Sequence, residues 1–289
     1  PGLYIGGGLT FMSRNTGNID LKGQVAVPNP DDSQLTSSVN VDLLAVRYPQ
    51  VGIMWEASPN LSFGISYRHS FTLDLDQTFR IDGDVGTPGE KPLVTAGYFQ
   101  THAVVTDLFQ PWELTGGVAV RLRSNVLVAF DGTYARWSEF SDPAHNAEIK
   151  YDIGMFNKAV KLSPPQVFPD ALFHDIFIPH IGVEWRAIAR PRYAIDVRGG
   201  YVYEASPAPE QIGGGNLVDN DKHTFSAGLG LELEHLSVLP RPLAIDFHVA
   251  LTYLPSRANH KIDSLDPVGD YVSDGFVPQV GIELKTRFR

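Results

Sequence analysis

Apolar and polar positions alternate with a period of two along most of the chain. Between residues 180 and 203, Ile181, Val183, Trp185, Tyr193, Ile195, Val197, Tyr201 and Tyr203 hold one parity. His180, Gly182, Glu184, Arg186, Ala194, Asp196, Arg198 and Gly200 hold the other. A strand points successive side chains to opposite faces, so each such run predicts a β-strand with one apolar and one polar face. The pattern recurs over 3–11, 41–47, 51–55, 61–76, 114–123, 126–134, 225–234, 243–254 and 279–288, and more weakly over 98–108. Helical spacing surfaces only at 165–177, where Val167, Leu172, Phe173 and Ile176 suit one short helix.

Connections alternate between short ones, at 57–60, 123–125 and 188–192, and long polar ones, at 15–38, 77–96, 138–178, 204–222 and 255–275. Alternation alone fits a β-sandwich that packs its apolar parity inward as well as a transmembrane barrel that turns it to lipid. Three features favour the barrel. The 61–76 and 243–254 runs are long enough to span tilted. Trp55, Trp137, Trp185, Tyr193, Tyr201, Tyr203, Tyr253 and Phe288 stand near strand ends, where interfacial girdles sit. The polar parity mixes sparse charge of both signs with Gly, Ser, Thr and Ala. The predicted fold is all-β, a transmembrane antiparallel β-barrel of roughly 10–14 strands. No shift in composition divides the chain, so residues 1–289 are read as one barrel domain.

Composition narrows the function. Apolar residues make up 43% of 289, too many for a disordered chain. The net charge of −10 and a pI near 5.3 exclude nucleic acid as the natural partner. There is no cysteine, which excludes disulfides and thiolate metal sites. No run of 18 apolar residues predicts a spanning helix, and that says nothing of strands. The chain opens Pro-Gly-Leu-Tyr without Met or signal peptide, which points to an upstream segment that was processed, cut away or left out.

Candidate chemistry is sparse. None of the nine histidines has zincin spacing. Asp219-Asn-Asp-Lys-His223 suits a Ca²⁺ loop less well than a solvated turn. Asp246 and His248 share a strand face, but no Gly-x-Ser-x-Gly elbow accompanies them. No catalytic residue, metal or cofactor is expected, and the protein is not read as an enzyme. Glu184, Arg186, Asp196, Arg198, Glu232, Asp246, His248, Glu283, Lys285 and Arg287 share the inward parity. A turn centred near 190–191 sets acid against base on neighbouring strands. Two roles stay open for this cluster: guiding a carboxylate-bearing ligand, or a salt-bridge network that stiffens the lumen. For an apolar ligand the candidates are Met12, Met54, Leu108, Phe109, Trp112, Phe156, Phe168, Phe173 and Phe177, with 168–177 capping the outer mouth or packing on itself.

Three stretches resemble a known family. Residues 48–68, YPQVGIMWEASPNLSFGISYR, resemble a hairpin of the FadL/TodX outer-membrane transporters, as do Leu127–Phe140, where Trp137 closes the strand. More specific is Arg198–Pro209, a Gly-Tyr strand running into a Ser-Pro-x-Pro loop, followed by the Asp-x-Asp-basic-His segment that opens 219–230. The resemblance covers most of 45–255. It implies a monomeric barrel of roughly fourteen strands in the outer membrane of a Gram-negative bacterium. It further implies passive uptake of long-chain fatty acids or aromatic hydrocarbons, with membrane lipid and a hydrophobic small molecule as partners and no protein partner indicated. The family's Asn-Pro-Ala hatch motif is missing, so its gating residues are not carried over; the hatch lies outside this sequence or this is a shortened relative. Two other readings use the same alternation: a non-transporting outer-membrane barrel with a structural or assembly role, and a soluble lectin-like β-sandwich binding module.

Overall fold

The computed structural model describes residues 2–26, 34–87, 90–140, 144–159, 161, 171–213, 215–234, 242–264 and 266–286. The strands are β1 (Gly2–Ala26), β2 (Gln34–Ser58), β3 (Leu61–Arg68), β4 (Phe71–Gly86), β5 (Val94–Gln110), β6 (Glu113–Arg123) and β7 (Val126–Ala135). They continue with β8 (Ala144–Asp152), β9 (Ile176–Ala189), β10 (Tyr193–Glu204), β11 (Lys222–Leu233), β12 (Leu243–Asn259) and β13 (Tyr271–Thr286). All join one sheet in the order β13-β12-β11-β10-β9-β7-β6-β3-β2-β1-β4-β5-β8. Among the described residues every pairing is antiparallel except that of β1 with β4, where 17–26 run parallel to 77–86. Among the described residues no helix is long and apolar enough to cross a membrane, which says nothing of strands.

The wall runs from β1 through β2, β3, β6, β7, β9, β10, β11 and β12 to β13, and β4, β5 and β8 extend it beyond one rim. The opposite rim carries the tight turns. At 59–60 the Asn60 amide donates to Ser58 Oγ at 3.3 Å, and the Asn60 carbonyl accepts from Arg121 at 2.8 Å. At 124–125 the Asn125 carbonyl accepts from Arg186 N at 2.8 Å, tying two hairpins together. At 190–192 Arg190 N donates to the Tyr193 carbonyl at 2.9 Å.

Several boundaries differ from the sequence expectation. Segments 15–38 and 77–96, read as linkers, consist largely of strand: β1 and β2 pair through 24 and 34, and β4 and β5 form a long hairpin. The loop 138–178 contains β8. The 61–76 run is two strands, because His69 N turns back to the Pro49 carbonyl at 3.0 Å and Tyr48 packs on Phe71 at 5.5 Å. Beyond that break β3 stays in the wall while β4 leaves to pair with β5. Most of the expected helix at 165–177 lies outside the described residues, and its end is irregular chain leading into β9.

The apolar parity faces outward. Leu3, Ile5, Ile53, Ile65, Phe130, Ile181, Val183, Phe225, Leu229, Phe247, Leu251, Val280 and Ile282 are all exposed, whereas among the described residues few apolar side chains are buried. Water does not tolerate so continuous an apolar surface, and a bilayer does. Aromatics bound it. Near the tight-turn rim Trp55 stacks on Phe63 at 5.7 Å, with Trp185 and Tyr193 nearby on β9 and β10. Near the other rim Tyr203, His223, Tyr253 and Phe276 contact one another in sequence at 5.1, 6.3 and 5.0 Å. Tyr193 and Tyr203 are ten residues apart on β10. At about 3.3 Å per residue and a tilt near 40°, that is about 25 Å of height, the thickness of an outer-membrane apolar band.

Loops above β10–β13 are tied to one another. Arg257 donates to Ser206 Oγ at 2.5 Å and to the carbonyls of Asp219 and Ala208 at 2.8 and 2.5 Å. Lys261 Nζ donates to the Gly213 and Gly215 carbonyls, and Lys261 N to Asp270 Oδ1 at 2.8 Å. His260 Nδ1 meets Asp270 Oδ2 at 3.0 Å. Hydrogen bonding to Asp270 raises the His260 pKa above its ordinary 6.5, and the bonds from His260 and Lys261 hold Asp270 below 3.8.

Two outcomes follow. Arginine at Val183, mid-band, should destabilise the folded protein by about 2–4 kcal/mol, and at Tyr203, in the upper girdle, by about 0–1, measured by reversible folding into lipid vesicles. The His260–Asp270 clasp contributes fully below pH 6.5 and fades as pH rises through the elevated His260 value. It is equally complete above pH 3.8 and fades as pH falls through the depressed Asp270 value. Proteolytic nicking of 260–270 should therefore increase at both extremes, and His260→Ala should abolish the alkaline limb.

Candidate functional site

The inward face of β9–β13 is an ionic lattice set by strand register. Asp196 lies opposite Arg186, and Arg198 opposite Glu184, across a one-residue irregularity beside Ile195. Arg186 grips Asp196 with two bonds, Nε to Oδ1 at 2.9 Å and Nη2 to Oδ2 at 3.0 Å, and also reaches Glu232 at 3.1 Å. Arg198 is the hub. Its Nε donates to Glu184 at 2.7 Å, its Nη1 donates to Asp246, and its Nη2 is 3.8 Å from Asp196. Lys285 bridges Glu283 at 2.7 Å and Asp246 at 3.6 Å. Only Asp196 is fully buried, at 1% exposure, and it has the bidentate partner that a buried carboxylate requires. Glycines make room for these long side chains. A Cβ at Gly230 would meet Asp246 Oδ1 at 2.8 Å and Arg198 at 3.1 Å, and one at Gly281 would strike the His248 ring.

The structure thus brings together Glu184, Arg186, Asp196, Arg198, Glu232, Asp246, Glu283 and Lys285, with His248 beside them over Gly281. Arg287, Phe168, Phe288 and the side chain of Met12 lie outside the described residues. A cavity of about 660 Å³ opens on this face, lined by Glu184, Arg198, Asp246, His248, Glu283 and Lys285, and reaches Asp131 and His180.

The inward face of β1, β2, β3 and β6 is of a different kind. Successive rungs read Gly6, Gly52, Ser66, Thr115 and then Tyr4, Met54, Gly64, Gly117. Small side chains leave a trough of about 820 Å³ over these strands, bounded toward the loop rim by Gln50 and by the Arg68–Glu113 ion pair at 2.5 Å. The two halves meet at β7. There Asp131 bonds His180 Nδ1 at 2.5 Å, and Thr133 bonds Thr115 at 2.8 Å. Asp131 borders both cavities.

These junction residues escaped the sequence reading. The β7–β9 pairing spans a connection of some forty residues, so no local pattern sets its register. The trough escaped because glycines carry no side chain to mark a face. Its signal was there: Gly6, Gly8, Gly52 and Gly64 all fall on the polar parity.

The apolar candidates separate. Met54 stands in the trough. Phe109, Phe173, Phe140 and Trp137 cluster beyond the loop rim, with Phe109–Phe140 at 5.3 Å and Phe140–Phe173 at 4.8 Å. Trp112 instead joins the outward girdle, against Tyr67 at 6.0 Å and Tyr134 at 5.5 Å. Phe177, read as a loop residue, lies within β9 on the outward face, over Gly132. Leu108 and Phe156 are exposed.

Among the described residues no group of three or more His, Cys, Asp or Glu converges as metal ligands. In the 219–223 segment Asp221 is engaged by Ser206 N at 2.9 Å and Tyr203 OH at 3.0 Å, and Asp219 by Lys222 at 3.2 Å.

The sequence model for outer membrane protein transport proteins (OMPP1/FadL/TodX) matches residues 2–264. The structure is similar to a Pseudomonas aeruginosa FadL homologue, at 11% identity and a TM-score of 0.52, covering 98% of this chain and 62% of that one. This chain therefore spans less than two thirds of the homologue's length. It is also similar to the Ralstonia pickettii toluene transporter TbuX, at 17% identity and TM-score 0.45 over 85% and 49% of the two chains. For the P. putida toluene transporter TodX the values are 12%, 0.45, 86% and 51%. No curated protein matches the chain. The chain belongs to the OMPP1/FadL/TodX family of outer membrane transport proteins, and its fold is a transmembrane antiparallel β-barrel of the Gram-negative outer membrane.

Proposed function

We propose that the protein passes neutral hydrophobic compounds across the outer membrane by diffusion. The division of the inward face carries this reading. One half is occupied by charges that satisfy one another, and the other is a small-residue trough of a size that accepts a small apolar molecule. Family membership supports the transport of hydrophobic compounds, and the lattice bears on their charge. Among its described residues five carboxylates (Glu184, Asp196, Glu232, Asp246, Glu283) face three cations (Arg186, Arg198, Lys285). An ionised fatty acid entering this lumen meets an excess of like charge, and every described cation there is already paired. That favours an aromatic hydrocarbon or another uncharged compound over a carboxylate, and favours the stiffening role of the lattice over the anchoring one. Phe109, Phe140, Trp137 and Phe173 offer an apolar surface beyond the loop rim where such a compound first settles, and Met54 offers one within the trough.

In a Gram-negative host without its own channel for such compounds, the full-length protein should speed uptake of labelled toluene and leave oleate uptake at neutral pH near background. Faster oleate entry with unchanged toluene entry would overturn the preference for neutral cargo. The stiffening role has a separate measure. Asp196→Ala removes the two hydrogen bonds from Arg186, which is half-exposed and keeps Glu232, and should cost about 1.5–3 kcal/mol of folding stability in lipid vesicles, whereas Glu283→Ala should cost about 0–1.

A further inference from the structure

Two neighbouring tight turns carry four arginines: Arg121 and Arg123 between β6 and β7, Arg190 and Arg192 between β9 and β10. All four are exposed. Every other arginine whose side chain the structure describes has a partner: Arg68 has Glu113, Arg80 has Asp82, Arg136 has Glu139, Arg186 has Asp196, Arg198 has Glu184 and Arg257 has Ser206. Among the described residues the four on the turns form no ion pair. Nor do the turns need their side chains. Main-chain bonds hold them, from Arg121 N to the Asn60 carbonyl at 2.8 Å and from Arg190 N to the Tyr193 carbonyl at 2.9 Å. Ser124-Asn125 and Pro191 supply the turn chemistry.

Their surroundings say what they meet. β7 pairs with β9, so the two turns lie two strand spacings, about 10 Å, apart along the rim. On the outward side they adjoin exposed Leu122, Trp185, Ile188 and Tyr193, the end of the apolar band. Of the nearby carboxylates Glu232 is held by Arg186 at 3.1 Å, and Glu234 donates its amide to the Arg192 carbonyl at 3.0 Å. Four free guanidinium groups thus stand beside one carboxylate outside an ion pair, in a chain whose net charge is −10. Cations directly against apolar and aromatic side chains suit a lipid headgroup region better than an acidic protein. There the rings and aliphatic stems reach acyl chains while the charged heads reach phosphate.

We propose that Arg121, Arg123, Arg190 and Arg192 bind the phosphates of anionic phospholipid in the periplasmic leaflet, the side that the short turns of outer-membrane barrels face. A planar guanidinium donates two parallel hydrogen bonds to phosphate oxygens. Bound lipid holds the β6–β10 end of the wall at headgroup level. The site is independent of the cargo that the barrel passes.

The test uses full-length protein in phosphatidylcholine vesicles with a trace of spin-labelled phosphatidylglycerol or spin-labelled phosphatidylcholine. Electron paramagnetic resonance measures the fraction of label immobilised by the protein, and heat-modifiable migration checks folding. In low salt the wild type should retain phosphatidylglycerol over phosphatidylcholine by about threefold or more. Sodium chloride at about 0.5 M should at least halve that preference without any substitution. Changing all four arginines to Gln should bring it near parity, and changing all four to Lys should keep part of it, because Lys retains the charge but not the fork. Arg136→Gln, at the loop rim, should match the wild type. Equal retention of both lipids by the wild type would overturn the site, as would an undiminished preference in the folded glutamine variant. An equal loss in Arg136→Gln would also overturn it, by marking a general effect of net charge. Wild type that shows no lipid preference but binds polyglutamate through these arginines would assign the patch to an acidic protein instead.

Discussion

In hydrocarbon there is no water to relieve an unpaired peptide group, so a chain that crosses a bilayer with strands must satisfy its backbone from neighbouring strands. The rest of this structure follows from that requirement. Strand pairing fixes a period of two, and the period divides every strand into a lipid-facing and an inward set. Once Ile181, Val183 and Trp185 face lipid, Glu184 and Arg186 are committed to the interior whether or not transport uses them. Charged residues on the inward set then need partners at strand-neighbour distance. The register of β9 and β10 places Arg186 beside Asp196 and Arg198 beside Glu184.

The two halves of the inward face answer that need differently. From β9 to β13 the chain admits charge and pairs it, and Arg198 ties three strands through Glu184 on β9, Asp196 on its own β10 and Asp246 on β12, with Gly230 on β11 leaving room between them. From β1 to β6 it avoids the problem with Gly, Ser and Thr, whose short side chains need few partners and fill little space. In the lattice His248 covers Gly281; in the trough Gln50 covers Gly8 and Asp131 covers Gly117, while no described atom overlies Gly64.

Legibility in the sequence followed the range of the interaction that decides each feature. The hairpin at 180–203 was readable because both strands and their turn lie within two dozen residues, so parity and the 190–191 turn together specify the Glu184–Arg198 and Arg186–Asp196 pairs. The extension was not. The polar runs at 15–38 and 77–96 look like loops because no lipid belt imposes an apolar parity on them, yet β1 and β4 pair there in parallel over ten residues. The single run expected over 61–76 failed for a related reason. Its alternation continues through His69, but the break depends on Pro49 and Tyr48, partners on another strand. The same limit concealed the Asp131–His180 contact, whose strands are brought together only after a long excursion.

This asymmetry also bears on where a path through the barrel belongs. A lattice of interlocked ion pairs resists displacement, because moving one member strands another without its partner in a site of reduced solvation. Cargo that had to part Arg198 from Asp246 would face that cost at every passage. A wall of Gly, Ser and Thr carries no such penalty, since an apolar molecule there displaces only water and leaves each hydrogen bond intact. On the proposed function, the ion-paired half holds the shape of the interior and the small-residue half is the surface along which cargo moves. Placing both proposed roles on the same strands would set them against each other; the paired charges and the small-residue trough lie on opposite sides of β7, with Asp131 and His180 at the boundary.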